Sequence, residues 1–212
     1  MHQVTLTFDN GPDADVTPLV LDILARRSIK STFFVVGSRL AAHRASAERA
    51  HAEGHWIGNH TWSHSIPFRD RGDADFIQSE IDRTQDEIGA LSHPDRLFRP
   101  YGGMGRLDGA LNTRAVDHLA ERHYTCIVWN AVPGDFANHD GWVETALPQV
   151  ATIGWPLVVL HDVHARAMQH LDRFLGRLQD RGTVFEQRFP ANCIAMQRGH
   201  RTDLLDSGIV AN

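Results

Sequence analysis

A chain of 212 residues, 42% hydrophobic and 22% charged, has the length and apolar content of one ordinary globular domain with a substantial core. Its net charge of −5, from 21 basic and 26 acidic residues, comes with no basic run and no interleaved basic-aromatic stretch, which argues against nucleic acid as a partner. No apolar run approaches ~20 residues, so no membrane-spanning helix is expected.

Val4 to Phe8 alternates and reads as a short buried strand, broken by Gly11-Pro12. The chain reaches this strand almost at once, with no positive-then-apolar leader. That leads to the expectation of a cytoplasmic protein, or of one whose leader was trimmed. Thr17 to Arg27 carries Leu19, Val20, Ile23 and Leu24 on one helical face. Ser31 to Gly37 is apolar throughout, as suits a parallel strand covered on both faces. Arg39 to Glu53 reads as one helix, and His55 to Asn59 as a third strand running into His60-Thr61-Trp62-Ser63-His64. A mixed-charge loop leads to a long helix over Asp73 to Leu91. Leu97-Phe98 then carries a fourth strand into Arg99-Pro100-Tyr101-Gly102-Gly103.

Asp108 to Arg122 reads as helix, Thr125 to Trp129 as a fifth strand and Gly141 to Thr152 as helix. Leu157 to Leu160 is a sixth strand, ending on His161-Asp162. A helix over His164 to Arg181 and a seventh strand over Thr183 to Phe189 follow. The division expected is a domain over residues 1–189 and a polar, weakly patterned tail over 190–212. Cys126 and Cys193 lack metal-pair spacing, and Cys126 reads as a small core residue. Strict alternation of strand and helix implies a parallel sheet with crossover helices, either open and doubly wound or an incomplete β/α barrel. No glycine fingerprint for a dinucleotide follows the first strand.

Asp9, Asn10, His60, His64, Arg99, Asp135 and His161 all fall at or just after the C-terminal end of a predicted strand. In either parallel architecture those ends share one face, where catalytic groups are presented. His60 and His64 have the spacing of paired imidazole metal ligands, which calls for a third ligand, normally a carboxylate. A metal there would polarise a carbonyl and acidify a water, with Asp9 as base and Arg99 keeping Asp9 ionised. His161 would protonate a leaving group while Asp135 orients its imidazole. The Gly102-Gly103 backbone would offer N–H groups to an oxyanion. Trp62, Trp129, Phe136 and Trp142 are candidate floors for a sugar, with core packing the expectation for Trp129.

Thr7-Phe8-Asp9-Asn10-Gly11-Pro12, His60-Thr61-Trp62-Ser63-His64, Phe98-Arg99-Pro100-Tyr101-Gly102, Gly134-Asp135-Phe136 and Leu160-His161-Asp162 resemble, in order, the five motifs of the polysaccharide deacetylases, carbohydrate esterase family 4. The resemblance runs over about residues 3–189. It implies a distorted (β/α)7 barrel with parallel strands. It also implies hydrolysis of an N-acetyl or related amide, usually on an amino sugar, with zinc or another divalent metal held by Asp-His-His. Carried onto this chain, Asp9 is the base, His161 the acid, Asn10, His60 and His64 the metal ligands, and Arg99 and Asp135 the tuning partners. Tyr101 or Gly102 would supply the oxyanion N–H.

Three departures stand out. Asn10 replaces the metal-binding aspartate, which lowers the expected metal affinity. The third motif is one proline short, and Phe136 replaces a tryptophan. The leading reading is a metal-assisted deacetylase of an N-acetylated amino sugar or polysaccharide. A metal-independent hydrolase of a small cyclic amide, imide or ureide is the alternative, and a catalytically silent sugar-binding relative is a third.

Overall fold

The computed structural model describes residues 2–102 and 105–211. In chain order the elements are β1 (Gln3–Asp9), α1 (Val16–Arg26), β2 (Thr32–Val35), α2 (Gly37–Ala42), α3 (Arg44–Ala52), β3 (Trp56–Asn59), α4 (Ala74–Ile88) and β4 (Leu97–Phe98). They continue with β5 (Leu111–Asn112), α5 (Thr113–Glu121), β6 (Thr125–Ile127), α6 (Trp142–Thr152), β7 (Leu157–His161), α7 (Ala165–Met168) and α8 (Leu171–Gln179). The last are β8 (Val184–Glu186), β9 (Ile194–Gln197), β10 (His200–Arg201) and β11 (Val210–Ala211).

The sheet runs β6-β4-β3-β2-β1-β7 with every neighbour parallel, and β8 adds parallel to the N-terminal half of β1. The chain leaving β6 meets β7 at a single bridge, Ala131 opposite Val158. These seven parallel strands form the distorted (β/α)7 barrel expected, curled and closed between β6 and β7 by that bridge.

Residue alternation decides what faces where, because successive side chains of a strand point to opposite faces. On β7, Val158 and Leu160 join the cluster packed under α1, α6 and α8, whereas Leu157 and Val159 join the cluster shared with α4, α5 and Phe98. On β1, Val4, Leu6 and Phe8 take the first side. Thr5, Thr7 and Asp9 therefore take the other, and all three are buried. Three polar residues along one buried face need partners. Thr5 Oγ1 donates to the Arg188 carbonyl at 2.6 Å and Thr7 Oγ1 to the Val158 carbonyl at 3.0 Å.

Several boundaries differ from the sequence expectation for local reasons. The helix expected over 39–53 breaks at His43 (φ −132°, ψ 38°), and its halves bury separate faces through Leu40 and through Ala47 and Ala50. The helix expected from Asp108 starts at Thr113. Asn112 stays extended to pair with β11, and its side chain caps α5 by accepting the Ala115 N–H at 2.8 Å. The helix expected over 164–181 divides between Met168 and Leu171. Residues 190–211 pack on the domain: β9 runs antiparallel to β6, and Cys193, Ala195, Met196, Leu205 and Ile209 are buried. Cys126 and Cys193 are both buried free thiols, and Cys126 packs in the core as expected.

Candidate active site

Strand register brings the first two groups together. Asp9, the last residue of β1, lies opposite His161, the last of β7. Asn59, ending β3, lies opposite Phe98 of β4, so the next residues, His60 and Arg99, are also side by side. Parallel strands therefore deliver all four to one rim.

Asp9 is 3% exposed, and its Oδ1 accepts a 2.7 Å bond from Arg99. Arg99 is wholly buried, a costly position for a guanidinium unless its donors are satisfied. The same Nη1 reaches Thr7 Oγ1 at 2.8 Å, Nε reaches the Ile127 carbonyl at 3.3 Å, and the Phe34 ring lies 4.0 Å from the guanidinium carbon. The alternation that turns Thr7 and Asp9 inward thus supplies two acceptors for one cation.

The His60–His64 loop is built by Asn59. Its Oδ1 accepts the Thr61 N–H at 3.0 Å and its Nδ2 donates to the Ile81 carbonyl at 2.8 Å, a side-chain turn that holds Thr61 at φ 65°. The His64 N–H then donates to Thr61 Oγ1 at 3.2 Å, with His64 at φ 50°. His60 Nδ1 lies 2.8 Å from the Arg99 carbonyl. A carbonyl only accepts, so the proton sits on Nδ1 and the Nε2 lone pair is left free, 3.6 Å from Asp9 Oδ2. Burial, reinforced by the Arg99 and His161 charges, pushes the His60 pKa down to about 3. Burial and the neighbouring His60 do the same to His64, also to about 3. Both rings are neutral at physiological pH, as metal ligation requires. Their centroids are 4.7 Å apart, and Tyr101 lies 4.2 Å from His64.

Asn10 takes φ 75°, a left-handed conformation that asparagine tolerates better than most residues. Its Oδ1 is buried with no hydrogen-bond partner among the described residues. An orphaned acceptor beside two imidazoles with free lone pairs fits a divalent cation. Among the described residues no three His, Cys, Asp or Glu side chains form such a site.

On the opposite side Asp135 is wholly buried after Gly134, which turns at φ 78°. Its Oδ2 accepts the His161 backbone N–H at 2.8 Å, and its Oδ1 accepts from His161 Nδ1 at 2.8 Å. Burial alone would lower the His161 pKa, but the Asp135 bond and the charges of Asp135, Asp9 and Asp162 outweigh it, and the net shift is upward. Asp162, the next residue, is itself buried, and burial raises its carboxyl to about pKa 6.

These groups surround a cavity of about 190 Å³. Asp9, Asn10, His60, His64 and His161 form its polar side, and Trp129, Val132, Phe136 and Val159 its apolar side. Tyr101, Gly102 and Gly105 complete the wall. A side chain at Gly102 would run into the Trp129 ring, so glycine lets the backbone approach there. Gly103, the other glycine expected to face an oxyanion, lies outside the described residues. Arg99 and Asp135 stand behind the wall and act through Asp9 and His161.

Trp129 packs in the core as expected, and one side of it also lines the cavity. Its Nε1 donates to the Gly105 carbonyl at 3.0 Å. Phe136 stands edge-on to His161 at 5.2 Å. Trp62 and Trp142 do not reach the cavity. Trp62 lies under Arg83 at 3.5 Å, and Trp142 is buried against Phe174. Val132, Val159 and Gly105 were not foreseen. The inward phase of β7 was the one signal that marked Val159.

A profile of the polysaccharide deacetylases matches residues 1–125. The peptidoglycan-N-acetylglucosamine deacetylase PgdA of Listeria monocytogenes is 29% identical over 187 residues, 86% of this chain and 37% of its own. The chain thus spans little more than a third of that relative's length. A chitooligosaccharide deacetylase of Rhizobium leguminosarum bv. trifolii is 39% identical over 163 residues, covering 76% of this chain and 72% of its own. A family 4 carbohydrate esterase from Streptomyces lividans, solved with acetate, shares the fold with a TM-score of 0.75 at 24% identity, over 91% of this chain and 96% of that one.

Proposed function

The chain belongs to the polysaccharide deacetylase family, and from that membership we propose that it removes acetyl groups from an N-acetylated amino-sugar polymer or its oligomers. The observation that carries this reading is Asp9 and His161 side by side at the cavity, one paired with a buried arginine and the other with a buried aspartate.

Asp9 Oδ2, the oxygen not engaged by Arg99, takes a proton from the attacking water as it adds to the amide carbonyl carbon. A backbone N–H at Tyr101 or Gly102, both of which line the cavity, would donate to the oxygen that becomes negative. His161, held through Nδ1 by Asp135, gives its Nε2 proton to the leaving nitrogen, so the C–N bond breaks to acetate and a free amine. Asn10, His60 and His64 would hold a divalent metal, for which imidazole ligation favours zinc. When bound, it polarises the scissile carbonyl and lowers the pKa of a water.

Activity in this scheme needs His161 protonated, so it falls as pH rises through a pKa held above the ordinary 6.5. In Asp135→Asn the carboxylate no longer favours the imidazolium, burial dominates, and the alkaline limb of the pH–rate profile moves to lower pH. A limb that stays in place would assign it to another group.

Acetate release from N-acetylglucosamine oligomers and from peptidoglycan, with zinc, cobalt or manganese supplied, tests the function. Zinc titration of the parent and of Asn10→Asp accompanies it. The carboxylate adds one negative charge at the site and is expected to tighten zinc by tenfold or more, about 1.4 kcal/mol. Acetate from neither substrate, in the parent or in zinc-loaded Asn10→Asp, overturns the deacetylase reading. Ring opening of a cyclic imide by metal-free protein would replace it with the small-amide reading, which the neutral Asn10 favours.

A further inference from the structure

Asp162 follows the proton donor His161, yet it does not line the cavity. It is 1% exposed, and both its oxygens are occupied. Oδ1 accepts the Gly11 N–H at 3.1 Å, and Oδ2 accepts the Thr17 hydroxyl at 2.5 Å. Thr17 Oγ1 in turn accepts the Asp13 N–H at 2.8 Å. The last rung of the β1–β7 pairing sets Asp9 beside His161, and the Asp162 carboxyl reaches across to the turn just beyond it. The Gly11 carbonyl accepts the Val36 N–H at 2.9 Å, so the far side of that turn is tied to β2. A Cβ at Gly11 would overlap the Asp162 carboxyl, which leaves glycine as the residue that fits. Between these ties sits Asn10, in its left-handed conformation with an unpartnered Oδ1.

We propose that Asp162 is a positioning residue for the reaction: its carboxylate clasps the Asp9–Gly11 turn to the His161 loop and so fixes the Asn10 amide and the Asp9 carboxylate relative to the proton donor. Its catalytic side rests on the deacetylase reading above. Its geometric side does not, because the clasp acts on Asn10 whatever the substrate. Among the described residues, the other tie between these segments beyond the strand rungs is a longer one, from Thr17 Oγ1 to the Asp162 carbonyl at 3.5 Å, and a displacement of about 1 Å in a reacting group can cost about 100-fold in rate.

The test uses the full chain with Asp162→Ala, Asp162→Asn and Thr17→Val. Asp162→Ala is expected to lower kcat by about 10- to 100-fold with KM nearly unchanged. It is also expected to shift the side-chain amide resonance of Asn10 in a 15N-labelled sample. Asp162→Asn keeps an oxygen for the Gly11 N–H and should restore most of both. Thr17→Val leaves the Gly11 bond and removes the hydroxyl's contacts with the Asp162 carboxyl and carbonyl, and stands in if Asp162→Ala does not fold, with an intermediate loss of kcat and a smaller shift. A folded Asp162→Ala, or failing that Thr17→Val, with parental kcat and an unmoved Asn10 resonance overturns the proposal. So does an Asp162→Asn as impaired as Asp162→Ala. If the parent itself releases no acetate, the deacetylase reading falls, and the Asn10 resonance alone still decides whether the clasp positions this amide.

Discussion

Asp9→Asn is expected to lower turnover by about 100- to 10,000-fold, the contribution of a positioned general base. The substitution is nearly isosteric. The asparagine oxygen can still accept the 2.7 Å bond from Arg99, which holds the guanidinium in place although the loss of its counter-ion lowers stability. What disappears is the second oxygen's ability to take a proton beside His60 Nε2. KM for an N-acetylated oligomer should move little, because the lost interaction is made in the transition state. Rates of acetate release, with circular dichroism and zinc content as controls, check this. Retention of more than a tenth of the parental rate would place the base elsewhere.

Arg99→Met is expected to cost about 3–5 kcal/mol of stability, the range for removing one partner of a buried ion pair. Methionine fills much of the volume and keeps the contact with Phe34. It leaves the Asp9 carboxylate, 3% exposed, without its counter-ion, and the Thr7 hydroxyl and Ile127 carbonyl without their donor. Urea unfolding measures the loss directly. A cost below about 1 kcal/mol would mean that water entering from the cavity solvates Asp9, and that the pair matters to charge at the site rather than to the fold.

How much of this was legible beforehand differs from residue to residue. The seven parallel strands were readable because apolar runs and turn residues mark them strongly, and the rim residues because each follows such a strand. Asp9 opposite His161 followed from parallel topology in kind, but the register that makes them direct neighbours did not. Helix breaks at His43 and between Met168 and Leu171 were invisible, since neither carries glycine or proline and the apolar spacing continues across them. Core packing of Trp129 was legible, but not which of the four aromatic candidates would also face the cavity, since a ring at a strand end can be buried on one side and line a cavity on the other. Asp162 went unnoticed because its role depends on a backbone N–H 151 residues away, a partner that no local pattern announces.

The edge pairings of β1 have a consequence for how the chain reaches its fold. Its N-terminal half is matched by residues 184–186, its C-terminal half by 32–34, and its other edge by 157–161. Of the strands of this sheet, the earliest made is therefore among the last to be completed. An apolar segment, Val4 to Phe8, must wait with open edges while about 180 residues are made. Contacts this distant in sequence slow folding and prolong the exposure of strand edges that pair readily with other chains. The same closure that joins base to acid makes recovery of soluble protein sensitive to the rate of synthesis, and slower, cooler expression should raise the soluble fraction.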